Sequence, residues 1–581
     1  MTKTQPFNRL RVTIIGIGYS LRYPHGNQDP SAKHLSQHVD FHIYEKSPEV
    51  GGIWFENRYP GCACDVPSHL YQYSFAPNTD WSRLHATSSE IQSYLKAVAQ
   101  KYNLNLHISL NSRVEHALWD QDRGIWRVDI ANHGTIESQI LINAGGILNS
   151  PQMPNIWGLD TFRAPILLTT AWDHIVDLAG KRAAIIGAGP NAVQLLPEIR
   201  EVVEHVDIYI RTPSWISPPI ALPEGAEKGH VYIGAEKRSF KSDKKAYLAM
   251  RKGLEDQFNM MFGAFMKESP EHQSLRARFE GRMKEFIRDK SLREKLIPKF
   301  EAGCRRVNPG EEYLIALQQD NVQPVFDPIR EIASDGVVLE DGSMNPTEIL
   351  IAATGFNTSF RPRFPRIGAD GVNLQDLWET NPVSYFGLVV AGFLNYLMFL
   401  GPNTPISNGS LMGPLEATAD YITRLLRKTV RQQIQSFSVR PDAQAEFDAH
   451  TQSYMSNMVW TGTCRSWYKN NTTGKITALW PGSSLHYMQT LAEDWWEDFD
   501  FTYKGNRFAY WGTSLSWVEN QETDCLGREE RKAREASTVP KVGRDLSYYV
   551  VDGEALSSLD IRSLDLDGDA NEDDSNVMAR L

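Results

Sequence analysis

Short apolar runs that stop on small residues recur along this chain and set its architecture. Val12-Thr13-Ile14-Ile15 leads into Gly16-Ile17-Gly18, Phe41-His42-Ile43-Tyr44 into Glu45, and Ile140-Leu141-Ile142-Asn143 into Ala144-Gly145-Gly146. The pattern returns in Ala183-Ala184-Ile185-Ile186 before Gly187-Ala188-Gly189, and in Asp207-Ile208-Tyr209-Ile210 before Arg211-Thr212. Asp320-Asn321-Val322 and the run from Glu348 to Ala352, which stops at Ala353-Thr354-Gly355, close the series. Short apolar runs bounded by turn residues predict buried strands of parallel sheets. From about Lys237 to Lys295 the period changes: Leu254, Phe258, Met261, Phe262 and Phe265 fall at helical spacing, with Lys, Arg and Glu opposite. That predicts an amphipathic helical insertion packed on the sheets. The apolar run Tyr385 to Gly401 is short for a membrane span and is interrupted by Asn395, so buried strands are expected there. After Gly527 the chain turns polar, and six of the ten residues Asp565 to Asp574 are acidic, which predicts a solvated tail.

At 581 residues the chain exceeds one ordinary core and should form two or three domains. Its 41% hydrophobic and 23% charged content is that of a soluble globular protein. A net charge of −11 without a basic block argues against nucleic acid as a partner. Five cysteines (Cys62, Cys64, Cys304, Cys464, Cys525) are an odd, sparse set, which fits a reducing compartment better than a disulfide framework. Cys62 and Cys64 lack the further ligands of a zinc site, so no metal is expected. Met1 to Arg11 carries no apolar signal core, which points to the cytoplasm. The alternative is a peroxisome, because Ala579-Arg580-Leu581 loosely resembles the Ser-Lys-Leu address.

Two of the glycine turns carry the chemistry. Gly16 and Gly18 precede a second strand ending in Glu45, whose carboxylate suits a free ribose and so FAD. Gly187-Ala188-Gly189-Pro190-Asn191-Ala192 precedes a strand ending in Arg211, which suits a ribose 2′-phosphate and so NADPH. The expected fold is therefore α/β, with two Rossmann-like dinucleotide-binding domains and a helical insertion. The FAD domain takes 1–150 and 386–525, the NADPH domain 151–225 and 301–385, the insertion 226–300 and the tail 526–581. Pro151 and Pro154 mark the first linker. Downstream of Glu45, Gly51-Gly52-Ile53-Trp54 lets backbone approach a flavin and its diphosphate, and the turn from Asn57 to Cys64 presents Asp65.

The block Gly51 to Asp65, followed by Ser68-His69-Leu70-Tyr71-Gln72-Tyr73-Ser74-Phe75, resembles the flavin-containing Baeyer–Villiger monooxygenases. It is most similar to the fungal branch that acts on polyketide and terpenoid intermediates. Gly303-Cys304-Arg305-Arg306, Ala353-Thr354-Gly355-Phe356, Gly401-Pro402-Asn403 and Cys464-Arg465-Ser466-Trp467-Tyr468 carry the resemblance onward to about residue 505. It implies that Arg306 stabilises the negative charge built up on activated oxygen and on the attacked ketone, and that Asp65 holds Arg306. Ala63, Cys64 and Asp65 would lie near the nicotinamide, and Ile53, Trp54, Val66, Tyr71 and Val114 would line the flavin. Ala188, Gly189, Pro190, Asn191, Ala192, Val193, Gln194, Arg211 and Thr212 would hold NADPH, with Trp467 over its nicotinamide end. The implied reaction oxidises NADPH, consumes O2 and converts a ketone to an ester or lactone.

Two departures qualify that expectation. The family's F-x-G-x-x-x-H-x-x-x-W keeps Phe162 and Trp172, but Ala164 and Leu168 replace its glycine and histidine. Leucine cannot hydrogen-bond, so slower or uncoupled turnover is expected. In the first fingerprint the third glycine is replaced by Leu21, and Glu45 falls well beyond the roughly 20 residues usual for the motif. Pro24 and Pro30 forbid an uninterrupted helix there, since each interior proline costs about 3 kcal/mol. Either non-coding sequence has been read into this stretch or the divergence is genuine and weakens flavin binding. The alternatives are thus a non-catalytic relative that binds NADPH, or a nitrogen or sulfur oxygenase on the same scaffold. A disulfide reductase using Cys62 and Cys64 is a remote third.

Overall fold

The computed structural model describes residues 9–19, 38–223, 229–512 and 514. The chain divides into a large unit, Met1–Tyr510, and a C-terminal unit, Trp511–Leu581, of which little is described. The Leu21 to Pro30 departure, Cys525, the acidic run and the terminal tripeptide lie outside the described residues.

Ten strands form two parallel sheets in the large unit. In chain order they are β1 (Leu10–Ile15), β2 (Val39–Tyr44), β3 (Ile108–Ser109), β4 (Ile140–Asn143), β5 (Ile166–Leu168), β6 (Arg182–Ile186), β7 (His205–Tyr209), β8 (Val322–Val325), β9 (Ile349–Ala352) and β10 (Tyr396–Met398). The first sheet has the order β10-β4-β1-β2-β3 and the second β8-β7-β6-β9-β5. Val12 pairs with both Phe41 and Ile140, and Ile185 with both Ile208 and Ile351, so each fingerprint strand is central. That is the doubly wound order, which places ligands at the carboxyl ends of the central strands. Each sheet is interrupted by an antiparallel meander: Val114–Asp120, Ile125–Ile130 and Gly134–Ser138 before β4, and Ile329–Ala333, Gly336–Leu339 and Met344–Pro346 before β9.

Helices cover the sheets with the faces their sequences dictate. Ser88–Lys101 starts on the Thr87 side chain, which accepts from the Glu90 amide, and buries Ile91, Leu95, Val98 and Ala99 in the core of the first sheet. Met412–Arg431 closes the same core with Leu415, Ile422 and Leu425. Pro190–Ile199 packs on the second sheet through Ala192, Val193, Leu195 and Leu196.

The helical insertion is built from shorter pieces than its pattern suggested. Lys244–Asn259 and Pro270–Phe286 are α-helical, but Met260–Phe265 tightens into a 3-10 turn before Ser269 caps the next helix. Leu254, Phe258 and Phe265 are buried, while Met261 and Phe262 are partly so. The insertion is pinned at His69, which lies in the loop after the Gly51–Asp65 block and is fully buried, ringed by Tyr232, Phe240 and Tyr247. His69 Nδ1 and the Tyr247 hydroxyl lie 2.9 Å apart, and burial, with the charge of Arg251, lowers the imidazole pKa to about 3.

Tyr385 to Gly401 is core, with β10 inside it and Leu388, Val390 and Leu397 fully buried. Among the described residues no helix is long and apolar enough to cross a membrane.

Candidate active site

Each sheet presents a glycine turn pressed against a small-residue strand end. Gly16 has φ +90°, and a Cβ on it would lie 2.8 Å from the Gly145 Cα; Gly187 has φ +120°, and its Cβ would meet the Ala353 oxygen at 2.7 Å. The Ala-Gly-Gly and Ala-Thr-Gly strand ends are therefore small first because the neighbouring fingerprint backbone occupies that space. Beyond the contact, Gly18 and Gly146 in one unit, and Gly189 and Gly355 in the other, would meet nothing within 4 Å if given a Cβ. These open glycine backbones fit a dinucleotide lying across the end of each sheet.

At the first sheet Glu45 is buried and binds backbone: Oε2 accepts from the Ile17 amide at 2.9 Å and Oε1 from the Ser47 amide at 2.8 Å. Each oxygen retains a lone pair, so Glu45 shapes the glycine turn and can still accept from a ribose. Gly52, φ +54°, packs its Cα side toward Gly18 and caps the short helix Ile53–Glu56. Trp54 and Tyr71 meet edge to face, with ring centroids 5.5 Å apart, and Val66 packs on the same core. Val114 instead is buried in a core cluster with Ile15 and Leu141, so its side chain serves packing.

At the second sheet Gly189 precedes the helix that Pro190 opens, and Ala192 and Val193 are buried beneath it. Asn191 donates to Thr169 Oγ1 at 2.8 Å. The linker strand thus gains at Thr169 a polar tie to this helix, although Leu168 beside it can form none. Gln194 does not point to open space. It accepts from the Tyr59 hydroxyl at 2.8 Å and donates to the Ala63 carbonyl at 2.9 Å, joining the helix of the second sheet to the turn that presents Asp65.

Arg211 is exposed and Thr212 half-buried. Arg305 was not singled out from sequence, yet it lies close enough to Arg211 for their charges to interact. Burial, then the Arg211 charge, lowers the Arg305 pKa. Arg305 donates to Ser214 Oγ, which in turn donates to the Ala188 carbonyl of the glycine turn. Among the described residues neither arginine forms an ion pair, so this cationic couple fits a phosphate. The signal available in the sequence was the doubled Arg305-Arg306.

Arg306 and Asp65, 241 residues apart in sequence, form an ion pair. Arg306 Nε donates to Asp65 Oδ2 at 3.0 Å and Nη2 to the same oxygen at 2.5 Å. Burial pushes the Asp65 carboxyl up, but the charge and hydrogen bonds of Arg306 outweigh it and hold the pKa below the usual value. Asp65 conversely raises the guanidinium against the opposing effect of burial. The arginine side chain keeps 39% of its surface exposed, and among the described residues Nη1 has no hydrogen-bond partner. One face of a fixed, permanently charged guanidinium is thereby free for a ligand. Tyr468 lies nearby; burial raises its phenol to about 12, with Arg306 pulling the other way. Trp467 packs against Tyr468 with ring centroids 4.9 Å apart.

The cysteines depart from expectation. Cys304 and Cys464 form a disulfide, with Cα atoms 6.3 Å apart, because two buried loops remote in sequence meet there. Cys62 and Cys64 are free and buried; burial raises Cys62 to about 11 and also raises Cys64. Both therefore stay protonated at neutral pH, which suits packing and not thiol exchange.

Two dinucleotide-type sheets joined at an arginine–carboxylate pair define a two-nucleotide oxidoreductase. Residues 65–221 match the family described as pyridine nucleotide-disulphide oxidoreductase. The FAD-binding monooxygenase moxY of Dothistroma septosporum is 37% identical over 530 residues, covering 88% of this chain and 83% of that one. A Baeyer-Villiger monooxygenase of Streptomyces coelicolor is 33% identical, covering 83% and 91%. The crystal structure of cyclohexanone monooxygenase from Rhodococcus sp. Phi1 bound to NADP+ has a TM-score of 0.73 at 25% identity, covering 85% of this chain and 99% of that one. This chain belongs to the Baeyer–Villiger monooxygenase family and is a flavin-dependent monooxygenase.

Proposed function

We propose that this protein converts a ketone to an ester or lactone, holding FAD at the first sheet and NADPH at the second, and that the ketone is a polyketide or terpenoid intermediate. The observation that carries the reading is the Arg306–Asp65 pair, which leaves Nη1 free. When bound, the flavin, reduced by NADPH, supplies activated oxygen. Glu45 and the Gly16–Gly18 and Gly51–Gly52 backbones hold FAD; the Gly187–Ala192 turn, Arg211, Arg305 and Thr212 hold NADPH. Asp65 keeps the guanidinium oriented, so Arg306 can donate to oxygen as negative charge develops without reorganising at that moment. Tyr468, buried near Arg306 with Trp467 packed on its ring, would limit water on that side. The polyketide or terpenoid assignment rests on the likeness of the Gly51–Asp65 block to the fungal branch.

The visible spectrum of the purified full-length protein, before and after adding FAD, tests the first step. A bound-flavin spectrum is expected, followed by oxidation of NADPH and ester formation from a panel of polycyclic and terpenoid ketones. Absence of flavin at excess FAD, with NADPH still bound, would establish the non-catalytic alternative. Product only from amines or sulfides would move the reaction to heteroatom oxygenation.

A further inference from the structure

The Cys304–Cys464 disulfide joins two segments that each carry a side chain of the proposed site. Cys304 lies two residues before Arg306, and Cys464 lies three before Trp467 and four before Tyr468. One segment returns the chain from the helical insertion to the second sheet; the other follows β10, at the edge of the first sheet. Both cysteines are buried, Cys304 at 0% exposure and Cys464 at 4%. The segments fit closely around the bond. Gly462 leaves no room for a side chain, since its Cβ would lie 2.3 Å from Glu301 Oε2. Gly303, at φ +82°, backs onto the ring of Phe265, which stacks on Trp460. Beyond the bond, Arg306 acts electrostatically on the Tyr468 hydroxyl. A hydrogen-bonded ion pair, with no covalent link, fixes the other side of Arg306 through Asp65.

We propose that this disulfide is a positioning element of the oxygenation site, locking the Arg306 segment to the Trp467–Tyr468 segment. The proposal rests on the oxygenase reading above. The cross-link removes the independent movement of two loops whose side chains must stay in register. A misplacement near 1 Å at a reacting centre costs on the order of 100-fold in rate, so such a clamp acts on chemistry as well as on stability. A dithiol opens the clamp by exchange. Its two thiol hydrogens end on Cys304 and Cys464, it leaves as its own cyclic disulfide, and the flavin contributes no electrons.

The test uses the FAD-loaded full chain. A non-reducing digest after thiol alkylation should yield the Cys304 and Cys464 peptides joined; alkylated thiols at both positions would overturn the proposal. The C304A/C464A variant should retain its flavin spectrum but form about tenfold less ester per NADPH consumed, with hydrogen peroxide accounting for the difference. R306K should then cost less in that background than in the wild type, because the positioning it disturbs is already lost. A bond that only stabilised the fold would lower Tm and leave ester yield and the R306K cost unchanged, and that result would refute the positioning role. If the double variant does not fold, dithiol-treated wild type, with its released thiols counted, takes its place. Trypsin cleavage after Arg305 and Arg306 supplies a readout independent of activity, expected to accelerate at least about tenfold once the clamp opens. Equal cleavage rates would overturn the proposal. Wild type that makes no ester yet shows the joined peptides and the protease difference would leave the clamp standing and remove the oxygenase reading.

Discussion

Arg306 is useful because Asp65 uses only part of it. Arg306→Ala should lower ester formation by roughly 10²–10³-fold, the usual loss on removing a preorganised donor, while NADPH oxidation continues. Product per NADPH checks this directly. Arg305→Ala should raise the KM for NADPH by about 10–100-fold and leave that for NADH little changed, since it removes a charge-assisted contact to a group NADH lacks. Arg306 and Asp65 were legible in the sequence because each sits in a motif whose residues are contiguous. Arg305 was not, because a doubled arginine does not reveal that its first member turns toward Arg211. Gln194, which the resemblance assigns to NADPH, commits its amide to Tyr59 and Ala63, a tie that no local motif reveals.

The two nucleotide units are built alike, down to the meander inserted before the strand that pairs with the fingerprint strand on its second side, β4 in one sheet and β9 in the other. The short apolar runs all mark parallel strands that are present, because buried parallel strands leave an uninterrupted hydrophobic record, but the Tyr385–Gly401 run holds one strand, Tyr396–Met398, where several were expected. The meanders left no comparable mark; their strands are short, several are part-exposed, and alternation over three to seven residues is a weak signal. The helical period was legible, but the 3-10 break at Met260–Phe265 was not, since apolar spacing alone does not report how tightly a turn is wound. The shared design gives a paired prediction. Gly187→Ala introduces a Cβ at a positive φ and 2.7 Å from the Ala353 oxygen, at a cost of about 1–3 kcal/mol. It should abolish NADP+ binding in calorimetry with the flavin absorbance retained. Gly16→Ala should do the reverse.

At the scale of the whole molecule, long-range ties decide what local pattern cannot. The 304–464 bond spans 160 residues, and nothing in cysteine count or spacing identifies it. The His69 cage is another such tie and carries a pH signature. In the unfolded chain imidazole takes a proton near pH 6.5, at about the reference value; in the folded protein it does so only at about pH 3. Between those limits the unfolded chain binds more protons, so this contribution is complete above about pH 6.5 and is lost as pH falls toward 3. Denaturation midpoints across that window should show the slope, and His69→Phe should flatten it by close to one proton.

The clasp between Gln194 and the Tyr59–Asp65 turn has a consequence for heredity and engineering alike. One short turn answers to the helix that begins the NADPH site and also supplies the carboxylate that orients Arg306. Cofactor preference and product yield are therefore pleiotropic here. Substitutions at Gln194 that shift the helix of the NADPH site will alter the yield of ester as well, and second-site revertants should map to Tyr59, Ala63 and their neighbours.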